Sequence, residues 1–130
     1  MPVLKFGRIR LRLAGQKVAK MLDESRNGQT VPAALGDRIE IELRENPTTG
    51  YRWHVIADGA PSCKLIADTF TALSGPPGKG GAHRWTFEAV ATGECEIVLR
   101  HRRGWAPPQE SEQNFTIHVH VGSDGRARRP

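Results

Sequence analysis

After residue 30 the chain alternates apolar and polar positions with a period of two, in short runs separated by turn residues. Ile39, Ile41 and Leu43 alternate with Arg38, Glu40 and Glu42, and Tyr51, Trp53 and Val55 with Arg52, His54 and Ile56. Trp85, Phe87 and Ala89 alternate with Arg84, Thr86 and Glu88, and Cys95, Ile97 and Leu99 with Glu94, Glu96 and Arg100. A last run sets Phe115, Ile117, Val119 and Val121 against Asn114, Thr116, His118 and His120. This period is that of half-buried strands. Residues 65–70 form a mixed run of strand length, and 18–22 with 30–33 supply a broken first strand. Residues 17–22 are the one helical candidate, and a short one. Tyr51 and Trp53 share the parity of Val55 and are expected in the core, with Trp53 as its central tryptophan.

The intervals carry turn chemistry: Leu35-Gly36-Asp37, 46–50, Asp58-Gly59-Ala60-Pro61, 74–81, Thr92-Gly93 and 104–111. Glycine supplies positive φ, proline fixes φ, and Asn or Asp bonds its own backbone. About seven short strands joined by such turns predict an all-β, immunoglobulin-like antiparallel β-sandwich. In that architecture successive connections alternate between the two ends, so loops 45–50, 74–81 and 102–112 fall at one end. Loops held by a rigid scaffold are where binding resides.

Those loops contain the most unusual peptides in the chain: Asn46-Pro47-Thr48-Thr49-Gly50-Tyr51, Gly78-Lys79-Gly80-Gly81 and Arg103-Gly104-Trp105. In this order they resemble the three loop motifs of the chagasin-type inhibitors of papain-like cysteine proteases: NPTTG followed by an aromatic, GxGG, and RPW. The likeness runs from about Val18 to Val121. It implies a reversible, non-covalent inhibitor whose three loops enter the active-site cleft as a wedge. Carried over, Thr48 and Thr49 would sit against the catalytic Cys and His of the protease. Residues 78–81 would run along the cleft through their backbone, and Arg103 with Trp105 would pack on the opposite wall. Gly104 stands where the family pattern has Pro, which leaves the third loop less rigid.

The residue types suit that task. Asn46 can bond the backbone two residues on, Pro47 holds Asn46 away from the α region, and Gly50 admits a conformation that a β-carbon penalises. A loop stiff before binding lowers the ordering cost of association. Thr48 and Thr49 are small and neutral, so they can approach a thiolate–imidazolium pair without burying an unpaired charge. Trp105 has the large area and low rotamer entropy of an interface anchor, and Arg103 has several donors.

Composition changes this picture little. The 130 residues suffice for one domain, and 38% hydrophobic with 25% charged content is close to globular values. The net charge of +5 resides at the ends: of 19 bases and 14 acids, residues 1–16 and 122–130 hold seven and one, leaving 12 and 13 between Lys17 and Val121. The expected organisation is a basic N-terminal extension over 1–16, the inhibitor domain over 17–121 and a basic tail over 122–130. A nucleic-acid reading through Arg8, Arg10, Arg12 and the tail needs a basic face on the fold itself, so neither nucleic acid nor membrane is expected as a partner. No apolar run reaches the ~20 residues of a spanning helix, and 1–13 offers no secretory apolar region. As given the chain reads as cytoplasmic, or as periplasmic or secreted if a leader was removed.

An enzyme is the weakest class, with no paired carboxylates, triad or metal constellation at one end, and no metal or cofactor is expected. His118 and His120 share a face but lack an evident third ligand, so they read as surface histidines. Lys79 lacks the Ser/Thr and spacing of a phosphate-binding loop. Cys95 reads as a small buried hydrophobe, and Cys63 is not on the strand that carries the antibody-type bridge. Two free thiols are favoured, and their bonding is left open. The expected partner is a papain-family cysteine protease met by a monomer. The alternative is an immunoglobulin-like module that uses the same loops for another protein or peptide.

Overall fold

The alternating runs become eight strands in the computed structural model, which describes residues 19–75, 78–103 and 113–123. In chain order they are β1 (Ala19–Leu22), β2 (Thr30–Ala34), β3 (Arg38–Glu45), β4 (Tyr51–Asp58), β5 (Cys63–Ala72), β6 (Gly81–Ala89), β7 (Gly93–Arg103) and β8 (Gln113–Gly122). They form two four-stranded sheets, ordered β1-β3-β6-β5 and β2-β8-β7-β4. The sandwich predicted from the pattern is thus observed, and its broken first strand is divided between the sheets. A short 3₁₀ turn, Glu24–Arg26, lies between the two pieces. Each piece pairs parallel, β1 with β3 and β2 with β8, whereas the remaining ladders are antiparallel. The antiparallel expectation therefore fails at these two edges, because β1 and β2 run in the same direction as their neighbours.

Between the sheets lie Ile39, Ile41, Leu43, Trp85, Phe87, Ile97, Leu99, Ile117 and Val119, all essentially inaccessible. Each large apolar side chain buried this way contributes roughly 1.5–3 kcal/mol. Trp85, at 1% exposure, is the fully buried tryptophan. Trp53 is only half-buried and packs against the core from its rim. The central role expected for Trp53 falls instead to Trp85, because β6 has neighbours on both sides and β4 is an edge strand. Tyr51 is likewise half-buried.

Two bulges adjust the faces. The β4–β7 register shifts between Val55 and Ala57, and the β5–β6 register shifts between Leu65 and Ala67. An extra residue reverses the facing of everything after it. Ile56 and Ile66 consequently stay exposed, and Asp68 and Phe70 come opposite Trp85 and His83.

Candidate functional site

Register alone brings the loops together. Glu45 at the end of β3 and Ala72 at the end of β5 both pair with Gly81, and Tyr51 at the start of β4 pairs with Arg103 at the end of β7. Loop 46–50 crosses from one sheet to the other, loop 73–80 joins β5 to β6, and the β7–β8 connection leaves from the same end. Gly104 and Trp105 lie outside the described residues, as do the extension 1–16 and most of the tail. For Arg103 only the backbone position is described.

The first loop is a single 3₁₀ turn, Pro47–Thr49, capped by Asn46 in extended conformation (φ −125°, ψ 93°). Asn46 Oδ1 accepts the Thr48 N–H (3.2 Å) and the Thr48 hydroxyl (2.6 Å). Thr49 Oγ1 donates to the Asn46 carbonyl (2.8 Å) and accepts the Tyr51 N–H (3.2 Å). Gly50 closes the turn at φ +86°, where its N–H reaches the Pro47 carbonyl; this left-handed conformation penalises any side chain with a β-carbon. The turn residues act as expected, with one amendment. Both threonine hydroxyl protons are spent inside the loop, so exposed Thr48 and Thr49 offer methyl groups and spare acceptor lone pairs outward.

The second loop is tied to the first by Asn46 Nδ2, which donates to the Gly78 carbonyl at 2.7 Å. The Gly80 carbonyl accepts the Leu73 N–H at 2.9 Å. At Gly81 no side chain fits: a β-carbon would lie 2.2 Å from the Thr71 carbonyl oxygen. These bonds give the glycines an internal structural role. Lys79 is exposed.

Beneath the loops lies a polar chain that the motif reading did not include. Glu45, 3% exposed, takes the inward position that Ile39, Ile41 and Leu43 hold earlier on β3. Its Oε2 accepts the Trp53 N–H at 2.6 Å, and its Oε1 lies 2.8 Å from His83 Nδ1. His83 Nε2 lies 2.5 Å from Asp68 Oδ1. Because a neutral imidazole has one N–H, carboxylates at both nitrogens require an imidazolium or a protonated carboxyl. The ring also stacks on Trp85 at 4.0 Å and 8°. One buried carboxylate thus connects the end of β3, the start of β4 and the start of β6, which are the strands that carry the first two loops. The signal was present in the sequence: Glu45 and His83 continue the inward parity of apolar runs, where a charged residue needs partners.

His101 on β7 supports the start of β4, its ring centroid 5.4 Å from Tyr51 and 4.8 Å from Trp53. Burial is the main reason its pKa falls below the ordinary 6.5; nearby His54 acts in the same sense and Glu45 opposes it. Trp53 Nε1 donates to the Arg44 carbonyl at 3.0 Å. Away from this end, His118 and His120 pair across the strands with Glu96 and Glu94 at 3.3 and 3.2 Å. Among the described residues no group of three or more ligating side chains could hold a metal.

A two-sheet sandwich that presents stiff loops at one end, backed by a buried brace, belongs to the class of immunoglobulin-like binding proteins. The comparisons narrow this class. Residues 33–119 match the family described as Chagasin family peptidase inhibitor I42, and the chain belongs to that family. It is 37% identical over 105 residues to Amoebiasin-1 of Entamoeba histolytica, covering 77% of this chain and 97% of that protein. It is 29% identical over 101 residues to Chagasin of Trypanosoma cruzi, covering 74% and 92%. The crystal structure of the cysteine protease inhibitor EhICP2 from Entamoeba histolytica superposes with a TM-score of 0.74 at 26% identity, covering 82% of this chain and 97% of that one.

Proposed function

We propose that the protein, a cysteine protease inhibitor of the chagasin family and not an enzyme, blocks papain-like proteases by seating loop 46–50 over their catalytic pair. The observation that carries this reading is the prelocked turn with Thr48 and Thr49 exposed at its tip, joined to the glycine loop through Asn46 and Gly78. Such a turn meets a cleft with little ordering left to lose. Two threonine methyls and neutral oxygens can lie on a thiolate–imidazolium pair, and the turn carries no nucleophile stronger than a hydroxyl, so the block is occlusion rather than bond formation. Gly78, Lys79, Gly80 and Gly81 extend the contact along the cleft, and Arg103, Gly104 and Trp105 supply its other flank.

Titration of papain with the purified chain tests the reading, with inhibition expected at or below micromolar protein. Thr48→Glu places an acid against the thiolate and should weaken inhibition on the order of 100-fold, which is about 2.7 kcal/mol. Its cost to stability should stay near 1 kcal/mol, since one exposed hydrogen bond is lost. Inhibition by Thr48→Glu equal to that of the parent would remove the loop from the contact.

A further inference from the structure

The two cysteines stand 32 residues apart in sequence and on different sheets: Cys63 opens β5 of the first, and Cys95 lies on β7 of the second. Both point into the interior. Cys63 is 2% exposed within the core, and Cys95 packs against that core from a half-buried position. Their sulfurs are 3.6 Å apart. Gly59, in the β4–β5 turn, covers the pair: a β-carbon there would lie 2.7 Å from Cys63 Cβ and 3.4 Å from Cys95 Sγ. No residue larger than glycine fits at position 59 beside the two thiols. Closing the gap to the ~2.0 Å of a disulfide requires an approach of about 1.5 Å, the scale of side-chain torsional adjustment. Sulfurs that already touch across two sheets need no refolding to bond.

We propose that Cys63 and Cys95 are a modification site, forming an intramolecular inter-sheet disulfide when the protein meets a low-molecular-weight disulfide oxidant such as oxidised glutathione. The Cys95 thiolate attacks one glutathione sulfur, the glutathione S–S bond breaks, and one glutathione thiolate leaves. Cys63 then gives up its proton and attacks Cys95 Sγ, expelling the second glutathione. In sum, one glutathione disulfide is reduced to two thiols and two protein thiols are oxidised to one disulfide. Cys95 is the entry point because it is the more exposed. Burial raises the Cys63 pKa to about 12 and also raises that of Cys95. Few thiolates exist at neutral pH, so the reaction is slow and accelerates as pH rises.

The bond would fasten β5, an edge strand with β6 as its one sheet neighbour, to the opposite sheet. A cross-link closing a loop of this length removes unfolded-state entropy worth on the order of 10²- to 10³-fold in the folded-to-unfolded ratio. For a domain of this size that is roughly 10 °C or more in melting temperature.

The full chain is incubated at pH 8 with an excess of oxidised glutathione, then alkylated in denaturant and mapped by mass spectrometry without reduction. The expected product is a monomer lacking two hydrogens, with the peptides of Cys63 and Cys95 joined, no free thiol, and a raised melting temperature that dithiothreitol reverses. Cys95→Ala should give neither the joined peptides nor the shift. Cys63→Ser, if folded by circular dichroism, should stop at a glutathione adduct on Cys95. Two alkylated thiols after incubation, an adduct on Cys95 alone in the parent protein, or cross-linked dimers would each overturn the proposal.

Discussion

Away from the loops, β3 and β6 turn Ile39, Phe87 and Ala89 inward; at the loop end the same two strands turn Glu45, Gly81 and His83 inward. The first arrangement holds by area, which is non-directional and tolerant of small shifts. The second holds by bonds of fixed direction: Glu45 to Trp53 N–H and His83, and Asn46 to Thr48 and Gly78. Both ends contribute to stability, and the loop end trades part of its apolar burial for positional control of the loops. A protein that must present a turn to a partner gains from such control, because loosened loops add an ordering cost to every encounter.

This contrast breaks most clearly under a pair of truncations. Phe87→Ala and Glu45→Ala should each lower unfolding free energy by about 3–5 kcal/mol, the first by leaving a cavity and the second by stranding His83 beside a lost partner. Denaturant titration measures both. Only Glu45→Ala should also raise the inhibition constant of the folded protein, by about 10-fold or more, because it frees the start of β4. Equal inhibition constants for the two variants would mean that the brace has no bearing on the loops.

A smaller effect isolates the link between loops. Asn46→Ala removes the cap of the 3₁₀ turn and the bond to Gly78, costing roughly 1–2 kcal/mol of stability, and papain inhibition should weaken by about an order of magnitude. Changing the exposed Lys64, which pairs with Glu88 at the end of β5 away from the loops, should leave each quantity unmoved.

Acid provides a gentler perturbation of the same end. The folded-state pKa of His101 is depressed, so below the ordinary 6.5 the unfolded chain binds a proton that the folded one resists. Its contribution is therefore present above pH 6.5 and declines as pH falls through that value towards the folded pKa. Melting temperatures between pH 7.5 and 5 should decline, and His101→Gln should flatten part of that decline. A Gln variant with the parent's slope would shift the cause to other groups. The smallest change concerns the third loop: Gly104→Pro should tighten inhibition by up to roughly fivefold, through restriction of the free chain.

Much of this was legible beforehand. Alternation gave the facing of β3, β6, β7 and β8 residue by residue, because a period of two leaves one face for the core. The Asn-Pro-Thr-Thr-Gly run gave its turn, because capping, φ restriction and positive φ are local properties. Glu45 and His83 were visible as polar residues on inward parity, but their partnership was not, since β3 and β6 meet only when the sheet forms. Asp68 was hidden further by the bulge at Ile66, which pairing creates and which reverses its face.

The sequence by itself determined which side chains of β3, β6, β7 and β8 face inward, where the chain turns and how stiff the first loop is, all consequences of neighbours within a few residues. Tertiary structure alone decided the rest: the division of the first strand between two sheets, the choice of Trp85 over Trp53 for the centre, the Glu45–His83–Asp68 brace, and the meeting of Cys63 with Cys95. Each depends on residues distant in the chain becoming neighbours, and no local pattern specifies which strands lie side by side.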